Sequence, residues 1–461
     1  MSGLAGLGAA EAAALVRARK ASAVDIAQAA LARIAARDGD LNCCTAVLEA
    51  QALAAAAAID ARIARGEDVG PLAGAPFVAK NLFDVAGVTT LAGARQRRDA
   101  PPAAHDAAAV AKLRAAGGVL IALTNMDEYA YGFVTENEFF GPTRNPRDPS
   151  RLAGGSSGGA AAAVAAGMAP LSIGSDTNGS IRVPASFCGV FGLKPTFGRL
   201  SRTGAFPFVA SLDHVGPMAR SVGDLALAYD AMQGYDASDP VCVDRAIEPV
   251  SNALAPQKLR IGVLDGWFRA SAEAGVNEAV DAAAETLGAK ARVTIEDAAI
   301  ARAAAFAITA AEGANLHLEN LRRQPHAYDV ATRDRFLAGA LLPAALVLQA
   351  QRFRRGYQAR VNALFAEYDI LLAPAAPCPA LPVGQRMITV GGVEVLARAN
   401  VGIYTQPLSF IGLPIVVAPI VRPGALPIGV QIVAAPWNER AAFQAAAILE
   451  RAGLAAAPVA P

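Results

Sequence analysis

The chain has almost no net charge: 41 Lys and Arg stand against 40 Asp and Glu, a formal +1. A nucleic-acid binder carries a basic footprint, so this balance argues against one. Cysteine is scarce as well. The five, at 43, 44, 188, 242 and 378, form neither an even disulfide framework nor a CxxC metal knuckle. They read as free thiols in a reducing cytosol. Membrane-length apolar runs are missing too, although 54% of the residues are hydrophobic. The uncharged window Leu152–Ser175 is rich in Gly, Ser and Ala, and Val401–Val421 carries Pro407, Pro414 and Pro419. Neither matches the leucine-rich run of about 20 residues that spans a bilayer. The N-terminus lacks a basic region before an apolar core, and Glu11 interrupts its apolar stretch, so no signal peptide is expected. There is no HExxH and no paired His/Cys cluster. Gly154–Gly159 is not followed by the Lys-Ser/Thr of a P-loop. The expectation is a cytoplasmic protein with no cofactor, no metal, no nucleic acid and no membrane partner.

What is present concentrates between Gly154 and Pro184, GGSSGGAAAAVAAGMAPLSIGSDTNGSIRVP. Two glycine-flanked serine sites bracket an alanine-rich segment, with Arg182 just behind the second. Gly154–Gly159 reads as a loop open to conformations closed to other residues. Ala160–Ala166 reads as a helix stopped by Gly167, Leu171–Ile173 as a short strand, and Gly174–Ser180 as loop again. That order can bring Ser156 or Ser157 near Ser180. A helix cap followed by a turn would leave a similar pattern.

At 461 residues the chain exceeds the usual domain length, yet large α/β enzymes can stay one unit. Helices are expected at Ala9–Arg19, at Ser22–Ala36 with Ser22 and Asp25 in capping-box spacing, and at Glu49–Arg65. Pro76–Lys80 reads as a strand with Lys80 at its end, followed by helix Asp106–Ala116 and strand Val119–Leu123. Helices and short apolar runs then alternate through Glu439–Arg451, which indicates an α/β sheet with helices on both faces. The region from about 300 to 368 turns helical and more charged; its cluster Arg352-Phe353-Arg354-Arg355 reads as a solvated or subunit-facing surface. No sharp linker appears, so residues 1–461 are taken as one domain, with N-terminal helices in 1–66 and the helical region embedded.

Gly154-Gly155-Ser156-Ser157-Gly158-Gly159, followed some two dozen residues on by Gly174-Ser175-Asp176-Thr177-Asn178-Gly179-Ser180-Ile181-Arg182-Val183-Pro184, resembles the hallmark of the amidase signature family of serine hydrolases. Val78-Ala79-Lys80, Thr124–Glu128, Gly192–Thr196, Ser211–Pro217 and Leu426–Gln431 are similar to further family segments. The likeness covers most of the chain and is weakest between about Pro240 and Asn400. It implies a large mixed sheet of about eleven strands, mostly parallel, covered by helices. It also implies Ser180 as acyl-enzyme nucleophile, Ser156 as a bridging serine after a cis peptide bond, and Lys80 as base. Backbone N–H groups of Thr177, Asn178, Gly179 and Ser180 would form the oxyanion hole.

That assignment makes chemical sense. An amide carbonyl is a poor electrophile, and a serine hydroxyl is a weak nucleophile until a base takes its proton. The four histidines, at 105, 214, 317 and 326, are scattered. His214 alone falls in a family-like segment, where packing or helix capping is the expected role. A lysine can serve when burial lowers its pKa from about 10.4 towards neutrality. Lys80 would accept from Ser156, which accepts from Ser180 as it attacks, and the proton would return to the leaving nitrogen. Ser157 is expected to hydrogen-bond around the loop, and Asp176 and Arg182 to brace it.

Three departures from the family pattern matter. Asn178 replaces a glycine; asparagine tolerates left-handed backbone, so the turn can survive. Asn81 stands where an Asp often follows the lysine. Tyr131, Gly132 and Phe133 place aromatics beside the site, where they would shrink the substrate pocket or simply pack. The segments KNLFDVAG and SDTNGSIRVP resemble the branch that includes 1-carboxybiuret hydrolase catalytic subunits. The branch implies a small polar amide or acyl urea as substrate, ammonia release, a homo- or hetero-oligomer and a small helical accessory subunit. An arginine should then meet a substrate carboxylate, but the sequence does not single one out. The alternatives are a glutaminase subunit of a tRNA-dependent amidotransferase, a broad aliphatic or aryl amidase, and a silent scaffold subunit.

Overall fold

The computed structural model describes residues 4–461. Its main sheet has eleven strands: β1 Cys44–Val47, β2 Pro76–Lys80, β3 Val119–Thr124, β4 Leu171–Asp176, β5 Phe191–Lys194, β6 His214–Ala219, β7 Ile261–Leu264, β8 Ala291–Val293, β9 Ile370–Pro374, β10 Ile415–Ile420 and β11 Ile428–Ala434. Their spatial order is β1-β3-β2-β4-β6-β5-β10-β11-β9-β7-β8. The mixed eleven-stranded sheet is as expected; the parallel majority is not. Parallel pairing is confined to β2 with β3 and β4 and to β7 with β8 and β9. Every pairing from β4 through β6, β5, β10 and β11 to β9 is antiparallel. Only β10 and β11 are joined there by a short return, residues 421–427; the other pairs are brought together from distant parts of the chain, which periodicity within one strand cannot reveal.

β2, β3 and β4 are buried at every residue, as near-continuous apolar strands covered on both faces should be. The alanine-rich helix Gly158–Ala165, also buried throughout, packs against β4 and β2 with no long side chain to hold it off. It begins two residues before the expected start, at Gly158. β4 likewise runs past Ile173 to Asp176, because its antiparallel partner β6 continues the ladder to His214. Ser175 therefore lies on a strand, where its neighbours fix its direction.

The N-terminal helices Ala9–Arg17, Ala23–Leu41 and Glu49–Ala64 lie where expected, and Ser22 and Asp25 close the capping box. The embedded helical region consists of Ala298–Arg323, Val330–Ala340 and Ala344–Leu364. Its basic cluster is only partly solvated. Arg352 and Arg355 are exposed, but Arg354 turns inward and donates to the carbonyls of Phe410 and Ser211, the latter at 2.9 Å. Among the described residues no single helix is long and apolar enough to cross a membrane; Val330–Ala340 and Ala344–Leu364 reach that apolarity only jointly, across a 93° bend.

Arg182 ties the signature stretch to the C-terminal strands. It is fully buried, grips Asp176 through Nε and Nη2 at 2.9 Å each, and donates to Gln431 Oε1 at 2.7 Å, to the Thr405 carbonyl at 3.2 Å and to Ser409 Oγ. Burial pushes the Asp176 pKa up, but the Arg182 charge and hydrogen bonds outweigh it and hold the carboxyl below its usual range. Removing one partner of a buried pair strands the other's charge. Arg182→Ala is therefore expected to lower unfolding stability by about 3–5 kcal/mol, read from urea denaturation.

Candidate active site

β2, flanked by β3 and β4, carries Lys80 at its C-terminal end, fully buried. Its Nζ donates to Ser156 Oγ at 2.7 Å and to Ser175 Oγ at 2.9 Å. Burial lowers the Lys80 pKa to about 7, against the opposing pull of the Asp127, Asp176 and Asp213 carboxylates. The amine is thus poised to exchange a proton near neutral pH. Ser175 as a second partner does not follow from the sequence, whose glycine-rich pattern reads as loop at that point.

Ser156 follows a cis peptide bond from Gly155. A side chain at 155 would run into the Asp127 carboxylate and the Val134 N–H, so glycine is required by the packing. Ser157 bonds across to β4, its Oγ donating to the Ser175 carbonyl at 3.2 Å, and its N–H donates to the Ser180 carbonyl at 3.1 Å. The two serine loops are thereby stitched together. Among the described residues no hydrogen bond joins the Ser156 and Ser180 hydroxyls; catalytic contacts are commonly looser before substrate binds.

The turn from Thr177 to Ser180 is held from outside. Thr177 Oγ1 donates to Asp213 at 2.6 Å, Thr405 Oγ1 to the Asn178 carbonyl at 2.6 Å, and Ile181 N–H to Asp176 at 3.1 Å. Among the described residues the N–H groups of Asn178, Gly179 and Ser180 find no partner in the chain. Gly179 has φ of +141° and Thr405 packed against it, so this one position needs glycine. Asn178 does not adopt a left-handed backbone; the turn survives because Gly179 alone takes that strain. The Asn178 side chain instead donates to Thr309 Oγ1 at 2.9 Å, fastening the turn to helix Ala298–Arg323. Asn81, with no charge to offer, bonds Thr45 Oγ1 and accepts from the Leu91 N–H.

Ser180, Thr177 and Asn178 open onto a small cavity of about 20 Å³, closed by Tyr131, Gly132 and Phe133 and reached by Arg335. Left-handed backbone at Tyr129 and Ala130 swings Tyr131 into place. Arg335, on Val330–Ala340, donates to the Tyr131 carbonyl at 2.8 Å and lies 3.5 Å over the Tyr131 ring. It falls in the stretch where the family likeness is weakest, and no local pattern marks it. A second, larger cavity of about 190 Å³ shares Ala130, Thr177 and Phe208 with the first and reaches Ser175. Asp176 and Arg182 line neither cavity; their contacts are the bracing ones given above.

His214 caps no helix. Its Nδ1 lies 2.6 Å from the Leu212 carbonyl and its Nε2 3.1 Å from Lys194 Nζ, both side chains buried. Burial lowers the pKa of each. Lys194 matches Lys80 in burial, but Lys80 alone touches serine hydroxyls. All five cysteines are free.

The eleven-stranded mixed sheet flanked by helices and the relatives of this chain mark it as an amide hydrolase. The chain belongs to the amidase signature family: the family model described as Amidase matches residues 25–443. It is 55% identical over 441 residues to a 1-carboxybiuret hydrolase subunit, AtzE, of Pseudomonas sp. (strain ADP), covering 95% of this chain and 96% of that protein. It is 38% identical over 484 residues to a glutamyl-tRNA(Gln) amidotransferase subunit of Anaeromyxobacter sp. (strain K), covering 96% of each. A solved structure described as "An unexpected vestigial protein complex reveals the evolutionary origins of an s-triazine catabolic enzyme. Inhibitor bound complex." superposes with a TM-score of 0.96 at 53% identity, over 98% of this chain and 99% of that one. A bacterial aryl acylamidase of the amidase signature family superposes at 0.90 with 27% identity, over 98% and 97%.

If Lys80 acts as a base it must be neutral, so labelling of Ser180 by a neutral fluorophosphonate is expected to rise with pH through about 7. At one pH unit below the midpoint about a tenth of the plateau rate should remain. A Lys80→Met variant should lose at least about a thousand-fold in labelling rate.

Proposed function

We propose that this chain hydrolyses the terminal C–N bond of a small anionic acyl urea or carboxamide, with 1-carboxybiuret the best candidate, and releases ammonia. The observation that carries this reading is that Ser180 and Arg335 line one cavity, which sets a guanidinium able to pair with a carboxylate beside the serine. The close likeness to a 1-carboxybiuret hydrolase subunit supports the same substrate class.

In the proposed cycle Arg335 holds the substrate carboxylate while Tyr131 and Phe133 flank its planar body. Neutral Lys80 draws a proton from Ser156, which takes one from Ser180 as Ser180 Oγ attacks the carbonyl carbon. The N–H groups of Thr177, Asn178, Gly179 and Ser180 receive the oxyanion, each such donor being worth about 2.7–4 kcal/mol. The proton returns through Ser156 to the leaving nitrogen and ammonia departs, leaving an ester on Ser180. Water then attacks that ester by the same relay. Ser175, the second acceptor on Nζ, holds the amine aimed at Ser156.

The chain is proposed to work in the cytoplasm, which suits five free thiols. An oligomeric assembly that includes a small helical accessory subunit is proposed as its working form; the superposed s-triazine structure is itself described as a protein complex.

The test is ammonia release from 1-carboxybiuret, biuret, allophanate, malonamate and glutamine, with and without a small protein encoded beside this one. The carboxylate-bearing acyl ureas are expected to be turned over and Ser180→Ala to abolish it. Arg335→Ala should lower kcat/KM for 1-carboxybiuret by about ten- to a hundred-fold, the loss of a charged hydrogen bond, with little effect on biuret. Turnover of glutamine alone would replace the substrate assignment with that of a glutaminase.

A further inference from the structure

Behind the site, outside both cavities, three acidic side chains converge: Asp127, Glu128 and Asp329, each at most 1% exposed. Arg398, from the short helix Ala397–Asn400, reaches into this cluster. Its Nη1 lies 3.2 Å from Asp329 Oδ2 and its Nη2 3.6 Å from Asp127 Oδ1. It also donates to the Glu136 carbonyl at 3.3 Å and to Thr332 Oγ1 at 3.4 Å. We infer that Arg398 is a positioning residue that couples the helix carrying Arg335 to the loop carrying Ser156.

Each arm of this coupling is concrete. Asp329 caps Val330–Ala340: its Oδ1 accepts from the Ala331 N–H at 2.8 Å, and its own N–H donates to Glu128 Oε2 at 2.9 Å. Arg335 rides on that helix, so the clasp on Asp329 sets where the substrate's cation stands. On the other arm, Asp127 Oδ2 accepts the Thr135 N–H at 3.0 Å and presses on Gly155, next to Ser156. Asp127 Oδ1 has no hydrogen-bond partner among the described residues, which leaves the Arg398 ion pair as its compensation. Burial raises Glu128 to about 8, so at neutral pH it is mostly uncharged and Arg398 answers chiefly to two carboxylates.

Removing Arg398 has two separable consequences. Without its Nη1, Asp329 loses its counter-ion and Arg335 its fixed approach, which weakens binding of a carboxylate substrate. Without its charge, Asp127 acts uncompensated on Lys80, whose other facing carboxylates are Asp176 and Asp213. The charged amine is then favoured, so a higher pH is needed to free it.

The inference rests on the reading of Arg335 and Lys80 above, and the experiment keeps the two apart. Fluorophosphonate labelling of Ser180 against pH needs no natural substrate, while KM is compared for 1-carboxybiuret and biuret. Arg398→Ala should move the labelling midpoint upward by at least roughly half a pH unit. It should also raise KM for 1-carboxybiuret about ten-fold, with biuret within about two-fold, because a charged contact of about 1.4 kcal/mol is lost. Arg398→Lys should restore the midpoint but not KM, since a point charge cannot bridge two carboxylates as a guanidinium does. Asp329→Asn, which keeps a helix cap, should raise KM alone. Equal losses on both substrates with an unmoved midpoint would overturn the inference. If Arg398→Ala does not fold, Arg398→Lys and Asp329→Asn decide, and wild-type KM in both would overturn it. Labelling at Ser180 without turnover of any carboxylate-bearing amide would refute the substrate reading while the midpoint still tests the Asp127 arm.

Discussion

A primary amine with no access to water, 2.7 Å from one serine hydroxyl and 2.9 Å from another, cannot keep its proton as a surface lysine does. Burial disfavours the charge, and the carboxylates of Asp127, Asp176 and Asp213 keep it from being lost outright. The balance sits near neutral pH. Much of the surrounding structure maintains it. The fully buried strands β2, β3 and β4 exclude water, while Arg182 and Arg398 pair with two of the three carboxylates.

Lys194 shows that burial alone does not bring a lysine to serine hydroxyls. It is as buried as Lys80, yet its Nζ meets the Pro195 carbonyl and His214 Nε2, groups with no hydroxyl proton to pass. His214 spends its other nitrogen on the Leu212 carbonyl. This pair holds β5 and β6 together behind the Thr177–Ser180 turn. What separates the two lysines is the neighbour that each strand end presents.

The meeting of Lys80 with the serine loops was legible because its parts are local. Glycine-bracketed serines, the Asp176-to-Arg182 spacing and Lys80 at the end of an apolar run are all written within short segments. The chain's alternation of helices and strands was legible for the same reason. Strand pairing was not: the antiparallel centre of the sheet depends on which ends the connections join, and β4 gained three residues from its partner rather than from its own pattern. The arginine side of the cavity was hidden more deeply. Arg335 shares its helix with Arg333 and Arg398 sits on a single four-residue turn, so neither stands out in the sequence, and only tertiary packing shows that one enters the cavity and the other a buried carboxylate cluster. Arg354 was obscured in the same way, one inward residue in a run of basic ones.

The central claim is a protonation state, so the most direct measurement observes the amine itself. Lysine labelled with ¹⁵N at Nζ, with the Lys80 resonance assigned by its loss in Lys80→Arg, can be titrated by NMR in the folded protein. The account predicts a midpoint near 7, about three units below an exposed lysine. A Lys80 resonance that stays protonated to about pH 10, as an ordinary lysine does, would contradict it.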